Sequence, residues 1–368
     1  MKINYVSLDK QSKDQSQKLL KIFRDCLNKS IFVNGDEVSK FERKVSRKCG
    51  TKYAVALNSG TDALTLALKL VGIKKGDEVI TPPNSFISST SSIIHLGAKP
   101  VFVDTADDQN IDANKIEKKI TKKTKAIVPV HWTGRMCDMD QLIHLSKKYN
   151  IKIIEDAAQA MGSYYKNIHA GKFSKVAAFS CHPLKNLNAL GDSGFITTDD
   201  KKIYEKINLY KNHGLKSRDN VEILGLNSRL DTLNSCVLSI RLKKLKNIIK
   251  KRNSNIKLYQ KYIKTDQVRI IPKEKNQINS SVIFNIICKK RNELKKYLDK
   301  FNIQTLIYYG KPLHLHKPMR KFGYKKGDFP IAEKLCNQVL ALPHNQYITK
   351  EQIKFISNKI NNFYNKFN

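Results

Sequence analysis

Between residues 53 and 198, short continuous apolar runs alternate with segments whose apolar residues recur at helical spacing. YAVALNSG (53–60) has the pattern of a buried strand ending in a small polar turn. TDALTLALKLVG (61–72) follows, with Leu64, Ala67, Leu68 and Leu70 at helical spacing. Further strand patterns are EVITP (78–82), PVFVDT (100–105), AIVPV (126–130), IKIIED (151–156), VAAFS (176–180) and GFITT (194–198). A helical pattern such as DMDQLIHLSKKYN (138–150) separates several of them. Strands that are apolar throughout are buried on both faces, so the pattern predicts an α/β fold with a mostly parallel sheet between helices. Ligands of such sheets bind beyond the carboxyl ends of the strands, which directs attention to the last residues of each run.

The second part of the chain reads differently. A long basic helical stretch, from Leu230 to about Leu258, is expected to carry the chain out of the first domain. Beyond it come one β-like run, SVIFNIICKK (281–290), and several helical patterns. The expectation is a large domain over 1–245 and a smaller C-terminal α/β domain over 246–368, with no internal repeat.

Composition narrows the class. A chain of 368 residues can bury two cores. Its first residues, MKINYVSLDKQSKDQ, lack the apolar stretch of a signal peptide, and no run approaches the roughly 18 apolar residues of a membrane span. A cytoplasmic protein without a membrane partner is expected. The seven cysteines include no CxxC pair, which argues against a disulfide framework or a metal site. The formal charge of +36 raises the question of a polyanion, but lysines outnumber arginines 57 to 11. Nucleic-acid readers rely on arginine and on aromatic residues interleaved with basic ones, so no nucleic-acid partner is expected. A positive surface would still attract a phosphorylated substrate.

Three strand ends carry chemistry. NSGT (58–61) opens a helix, where free N–H groups and the helix dipole favour an anion; Gly60 permits close approach, and Thr61 can cap the helix and donate its hydroxyl. In IKIIEDAAQA (151–160), Glu155 and Asp156 end an apolar strand. A carboxylate buried there needs a partner. A cationic ring nitrogen would serve, or Asp156 caps a helix starting at Ala157. In FSCHPLKN (179–186), Lys185 follows another apolar strand. A lysine in low-dielectric surroundings has its amine pKa pulled down, as imine chemistry with a carbonyl requires. An anion cradle, a carboxylate and a reactive lysine on strand ends of one sheet together match the needs of pyridoxal phosphate.

With these segments in place, the chain resembles the DegT/DnrJ/EryC1/StrS family of sugar aminotransferases, from NGDEVSKFERKVSRKCGTKYAVALNSGTDAL (34–64) to DFPIAEKLCNQVLALP (328–343). EDAAQA and the FS-x-H-P-x-K pattern are its specific motifs. The resemblance implies a fold-type I aminotransferase architecture and pyridoxal 5'-phosphate as cofactor. By motif, Lys185 corresponds to the lysine that binds the cofactor aldehyde and shuttles protons, and Asp156 to the carboxylate facing the pyridine nitrogen. Gln159 corresponds to the residue bonded to the ring's 3′-oxygen, Gly60, Thr61 and Ser180 to phosphate binders, and Phe86 in TPPNSFIS to an aromatic stacked on the ring. Asn227, in GLNSRLDTLNS (225–235), corresponds to a residue that reaches the cofactor phosphate of the other subunit, which implies a homodimer with shared active sites.

There are departures from the family pattern. GDSG (191–194) places Ser193 where the family often has glycine, and HWTGR (131–135) puts Trp132 and Arg135 near the expected pocket. YYGKPLHLHKP (308–318) resembles the family's small-domain segment over the substrate, with Tyr309 and His314 as candidates for sugar contacts. The resemblance implies amino transfer, with glutamate as donor, onto a nucleotide-linked keto-sugar for a surface glycan such as an O-antigen. Two related readings are a sugar dehydratase using pyridoxamine phosphate, a branch that has histidine in place of Lys185, and a silent regulatory member.

Overall fold

The computed structural model describes residues 2–366. Its seven-stranded sheet contains β1 (Tyr53–Leu57), β2 (Glu78–Thr81), β3 (Lys99–Phe102), β4 (Thr124–Ile127), β5 (Lys152–Asp156), β6 (Val176–Ser180) and β7 (Gly194–Thr198). The spatial order is β1-β7-β6-β5-β4-β2-β3. β7 runs antiparallel to both neighbours, and all other adjacent pairs are parallel. The apolar run of β7 predicted a strand but not its direction. The direction follows from the connection: residues 181–193 form turns and bends with no helix, so no crossover returns the chain to the other end of the sheet. As a result Gly194, the first residue of β7, is registered with Leu57 and Ser180, the last residues of β1 and β6. Asp156 ends β5 beside Ala178 of β6 on the same edge.

Helices cover both faces, as strands with continuous burial require. On one face, α1 (Leu8–Lys29) and α2 (Asp36–Cys49) come first in the chain, and α2 buries Phe41 and Val45 against Phe179 and Phe195. Those two sheet rings stack with centroids 4.6 Å apart. On the other face, α3 (Gly60–Leu70) buries Leu64 and Leu68, α4 (Ser88–His95) buries Ile93, and both pack over Leu57, Ile154 and Ile196. α5 (Met139–Tyr149) starts at an Asp138 cap and ends at Asn150 in the left-handed region. α6 (Lys201–Tyr210) adds Ile203 and Ile207 to the α3 side.

α7 (Thr232–Tyr262) is continuous over 31 residues and passes through position 245 without a break. It leads into a second core around an antiparallel sheet of β8 (Val268–Arg269), β9 (Asn285–Cys288) and β10 (Val339–Ala341). α8 (Arg291–Asp299) and α10 (Lys350–Asn365) bury Leu294, Leu298, Ile356 and Ile360 there, and α9 (Pro330–Gln338) precedes β10. Ile3 belongs to this second core and bridges to Ile303, so residues 3–5 pack with the C-terminal unit although they precede the large one in sequence. No helix among the described residues is long and apolar enough to cross a membrane, and no group of His, Cys, Asp or Glu among them could hold a metal ion.

Candidate active site

A cavity of about 350 Å³ opens at the strand-end edge of the sheet. Gly60, Asp156, Gln159, Ser180, Lys185 and Tyr309 all line it. Thr61 and Phe86 complete the residues that sequence reading placed there and the structure brings together.

The anion cradle is built from two close backbone approaches. Ser59, extended before α3, accepts a hydrogen bond from Asp62 N at 3.0 Å. The helix cap is therefore Ser59 and not Thr61, which lies within the first turn and pairs its hydroxyl with Ser88 at 2.7 Å. A Cβ added to Gly60 would come within 2.7 Å of Ser180 Cβ. One added to Gly194 would meet the carbonyl carbon of Ser59 at 2.5 Å and the nitrogen of Gly60 at 2.6 Å. Glycine at both positions lets the first turn of α3 sit against β6 and β7 with its N–H groups facing the cavity edge.

Asp156 is buried, and Ser89 donates to its Oδ2 at 2.6 Å. Burial raises its pKa above the ordinary value, while Ser89, the Ala158 N–H and Lys185 pull it back. The residues after it form a turn and not the helix considered from sequence: Ala158 N bonds Asp156 Oδ1 at 3.2 Å, and no helix starts at Ala157. Gln159 is held in that turn by Thr133 N, which donates to its Oε1 at 2.8 Å. Glu155, the other carboxylate of the pair, points away from the cavity into the opposite core. His131 Nε2 lies 3.0 Å from it, and Gly171 N, Phe173 N and Ser174 Oγ donate to it. Burial alone would raise its pKa, but these partners, His131 foremost, leave it below the usual value.

Lys185 is half-buried in the cavity wall. Burial pushes its amine down to about 8, against the opposite pull of Asp156 and Cys181. Its backbone N bonds His182 O at 2.8 Å, closing the turn that aims the chain back after β6. Phe86 is half-exposed at the cavity, with its ring centroid 6.0 Å from that of Tyr309.

Three positions expected near the pocket, Trp132, Arg135 and His314, fall elsewhere. Trp132 is fully buried behind the cavity: its indole bonds Gln109 and its ring supports Tyr309 at 5.0 Å, so it positions a wall residue and lines nothing itself. Arg135 turns the other way, to Pro272 O and Glu274. His314 is buried against Phe329 and paired with Glu333 at 3.0 Å, away from the cavity. Asn227 sits in an exposed loop, where its Oδ1 accepts from Arg229, and it does not line the cavity of its own chain. Ser193 is buried, its carbonyl accepting from Cys181 N at 2.7 Å.

Sequence reading missed Ser59, Ser89, Tyr5 and Arg252, all of which line the cavity. Ser59 was legible, because Ser three residues before Asp at a helix start is a capping signature. The other three come from distant segments, and nothing local marks them.

The profile of the DegT/DnrJ/EryC1/StrS aminotransferase family matches residues 13–361. A "Pleiotropic regulatory protein" of Geobacillus stearothermophilus is 34% identical over 100% of both chains. The dTDP-3-amino-3,6-dideoxy-alpha-D-galactopyranose transaminase of Aneurinibacillus thermoaerophilus is 36% identical over 92% of this chain and 93% of its own. The crystal structure of S. venezuelae DesV superposes with a TM-score of 0.96 at 32% identity, covering 98% of each chain.

Proposed function

The chain belongs to the DegT/DnrJ/EryC1/StrS aminotransferase family and is a pyridoxal-phosphate-dependent transaminase; on that premise we propose that it moves an amino group from glutamate onto a nucleotide-linked keto-sugar. The observation that carries the reading is that Lys185, with an amine held at about 8, shares one cavity with buried Asp156 and with the cradle between Gly60 and Ser180. The residues fit the cofactor: the two glycines let the first turn of α3 close against Ser180 and β7, so that the helix start and the Ser59, Thr61 and Ser180 hydroxyls edge the cavity where an anion would sit, and a buried carboxylate stands ready for a cationic partner.

Bound there, pyridoxal phosphate supplies an aldehyde for the substrate amine and a ring that withdraws electrons from the carbon bearing it. The chain's own groups do the rest. Ser59, Gly60, Thr61 and Ser180 hold the phosphate. Phe86 would cover a ring face, and Gln159, whose Oε1 is held by Thr133 N, would offer its amide N–H to the ring oxygen. Asp156, oriented by Ser89, would favour a proton on the ring nitrogen. Lys185 Nζ, whose pKa of about 8 leaves a usable neutral fraction, would remove and return the substrate proton. Asn227 reaches the phosphate in the second copy of the chain, making a homodimer with shared sites. Residues 1–245 supply most of the cofactor site, and 246–368 close over the sugar with Tyr309. The wild-type intact lysine favours amino transfer over dehydration.

The test is to load the protein with pyridoxamine phosphate and screen nucleotide keto-sugars for return of the aldehyde form. One sugar class should restore it within a turnover. A panel in which none does, while simple keto acids do, refutes the sugar assignment.

A further inference from the structure

Arg252, on α7, is 8% exposed and lines the cavity wall. Its Nη1 donates to Val282 O at 3.0 Å and its Nη2 to Gln346 Oε1 at 3.5 Å, but its Nε has no partner. No Asp or Glu accounts for its charge: burial pushes its pKa down to about 10, and the one group opposing that is the Tyr5 phenol. Tyr5 is 5% exposed and lines the same cavity, with the Tyr308 hydroxyl facing its own. Its main chain is fixed, with its N donating to Gln304 and its O accepting from Asn345 Nδ2. His344 beside them is neutral at working pH, held at about 3 by burial and by Arg252, with its Nε2 engaged by Ser281 O at 2.7 Å. The wall therefore presents one buried cation with an unused Nε donor and a phenol beside it, and no carboxylate paired with the arginine. An unpaired buried guanidinium is costly unless an anion meets it.

We propose that Arg252 and Tyr5 bind a carboxylate of the amino-acid donor, and that they are the specificity-determining pair of the donor half-reaction. The inference rests on the amino-acid donor read above. The carboxylate is favoured over the diphosphate of a sugar nucleotide by position. Arg252 and Lys185 line the same cavity and also share a smaller recess beside it, so Arg252 stands near the reacting carbon. An α-carboxylate is attached to that carbon, whereas a nucleotide diphosphate is separated from it by the sugar ring. A planar guanidinium edge with a phenol beside it suits a carboxylate.

The experiment uses the holoenzyme. Maleate, a dicarboxylate without an amine, is titrated by calorimetry into wild type, Arg252→Met, Arg252→Lys and Tyr5→Phe. The glutamate half-reaction is followed by the cofactor spectrum, and hydroxylamine, which reacts with bound cofactor but has no carboxylate, is the control. Arg252→Met is expected to weaken maleate at least tenfold and raise the glutamate KM to match, with Tyr5→Phe several-fold weaker and Arg252→Lys intermediate. The hydroxylamine rate should stay within twofold of wild type. Unchanged maleate affinity in Arg252→Met overturns the proposal, as does an equal loss towards hydroxylamine, which marks a structural role. Loss of UDP or dTDP binding with maleate intact assigns the arginine to the nucleotide and overturns it too. If Arg252→Met does not hold cofactor, wild-type affinity in both Arg252→Lys and Tyr5→Phe is the overturning result. Should wild type bind maleate through Arg252 yet not react with glutamate, the donor reading fails and the carboxylate site stands.

Discussion

Ser89 Oγ reaches Asp156 Oδ2 across 2.6 Å, joining the first turn of α4 to the last residue of β5. Burial raises the Asp156 pKa and this bond lowers it. If Asp156 holds the ring nitrogen as proposed, it must be ionised to do so, and activity should fall as pH drops through its pKa. Ser89→Ala removes a group that favours ionisation and should move the acid limb of the kcat profile to higher pH. Asp156→Ala should still take up cofactor through the cradle but lose on the order of 10³-fold or more in turnover. Near-wild-type turnover would reduce Asp156 to a turn former.

Lys185 is nucleophilic only when neutral, and its amine sits at about 8, where an exposed lysine titrates near 10.5. The rate at which cofactor-free protein captures pyridoxal phosphate should therefore climb with pH to a midpoint near 8 and level off above it. Asp156 holds that pKa up, so Asp156→Asn should shift the midpoint down. Lys185→Ala should show no visible band of lysine-bound cofactor. Borohydride trapping that maps to a different lysine would reject the assignment.

Gly194→Ala places a methyl within 2.6 Å of the main chain at Ser59 and Gly60, atoms that cannot swing aside. A loss of about 1–3 kcal/mol in urea unfolding is expected, together with weaker cofactor uptake. Gly60→Ala meets the Cβ of Ser180 instead and should damage uptake as well. Wild-type affinity in both proteins would detach the cradle from phosphate binding.

The His131–Glu155 pair is wholly buried, so deleting His131 leaves the Glu155 carboxylate with neutral donors alone and a cavity beside it. His131→Ala should cost about 3 kcal/mol. Glu155 is held below its ordinary value of 4.5, so its stabilisation is complete above that pH and is lost as pH falls through the lower folded value. Wild type should lose stability below about 4.5 more steeply than Glu155→Gln, measured by urea midpoints across acid pH. Parallel curves would count against the pair as an acid-sensitive support.

Asn227 lies outside its own chain's cavity, and the shared-site proposal makes a specific demand of it. Inactive Lys185→Ala and Asn227→Ala proteins, dissociated and re-paired, should regain roughly a quarter of wild-type site activity, because half the pairs are mixed and each mixed pair has one intact site. If Asn227→Ala alone is impaired and mixtures recover nothing, Asn227 acts within its own subunit.

The sheet and its chemistry were largely legible because burial on both faces leaves a continuous apolar run, and a charge ending such a run stands out. VAAFS and GFITT match their strands residue for residue, and Asp156 and Lys185 lie where their runs end. Direction was not legible for GFITT, since it depends on the length and shape of the loop before it. Side-chain heading was not legible in the loops either. Trp132, Arg135 and His314 turn to Gln109, Pro272 and Glu333, partners from 19 to 137 residues away that no local pattern announces. Ser89, Tyr5 and Arg252 were invisible for the same reason in reverse. Their neighbours at the cavity are set by chain closure, and a lysine-rich helix such as α7 gives one arginine no distinguishing context.

The bridge between Ile3 and Ile303, and the bond from Asn345 to Tyr5 across 340 positions, have a consequence for how the protein is made. A ribosome delivers Tyr5 a full 340 residues before the asparagine that clamps it. The strand-end cradle and Lys185 can assemble once β7 has emerged, but the Tyr5 and Arg252 wall must wait until Asn345 has followed. A nascent chain therefore carries a half-built cavity, able to meet the cofactor before it can meet the donor.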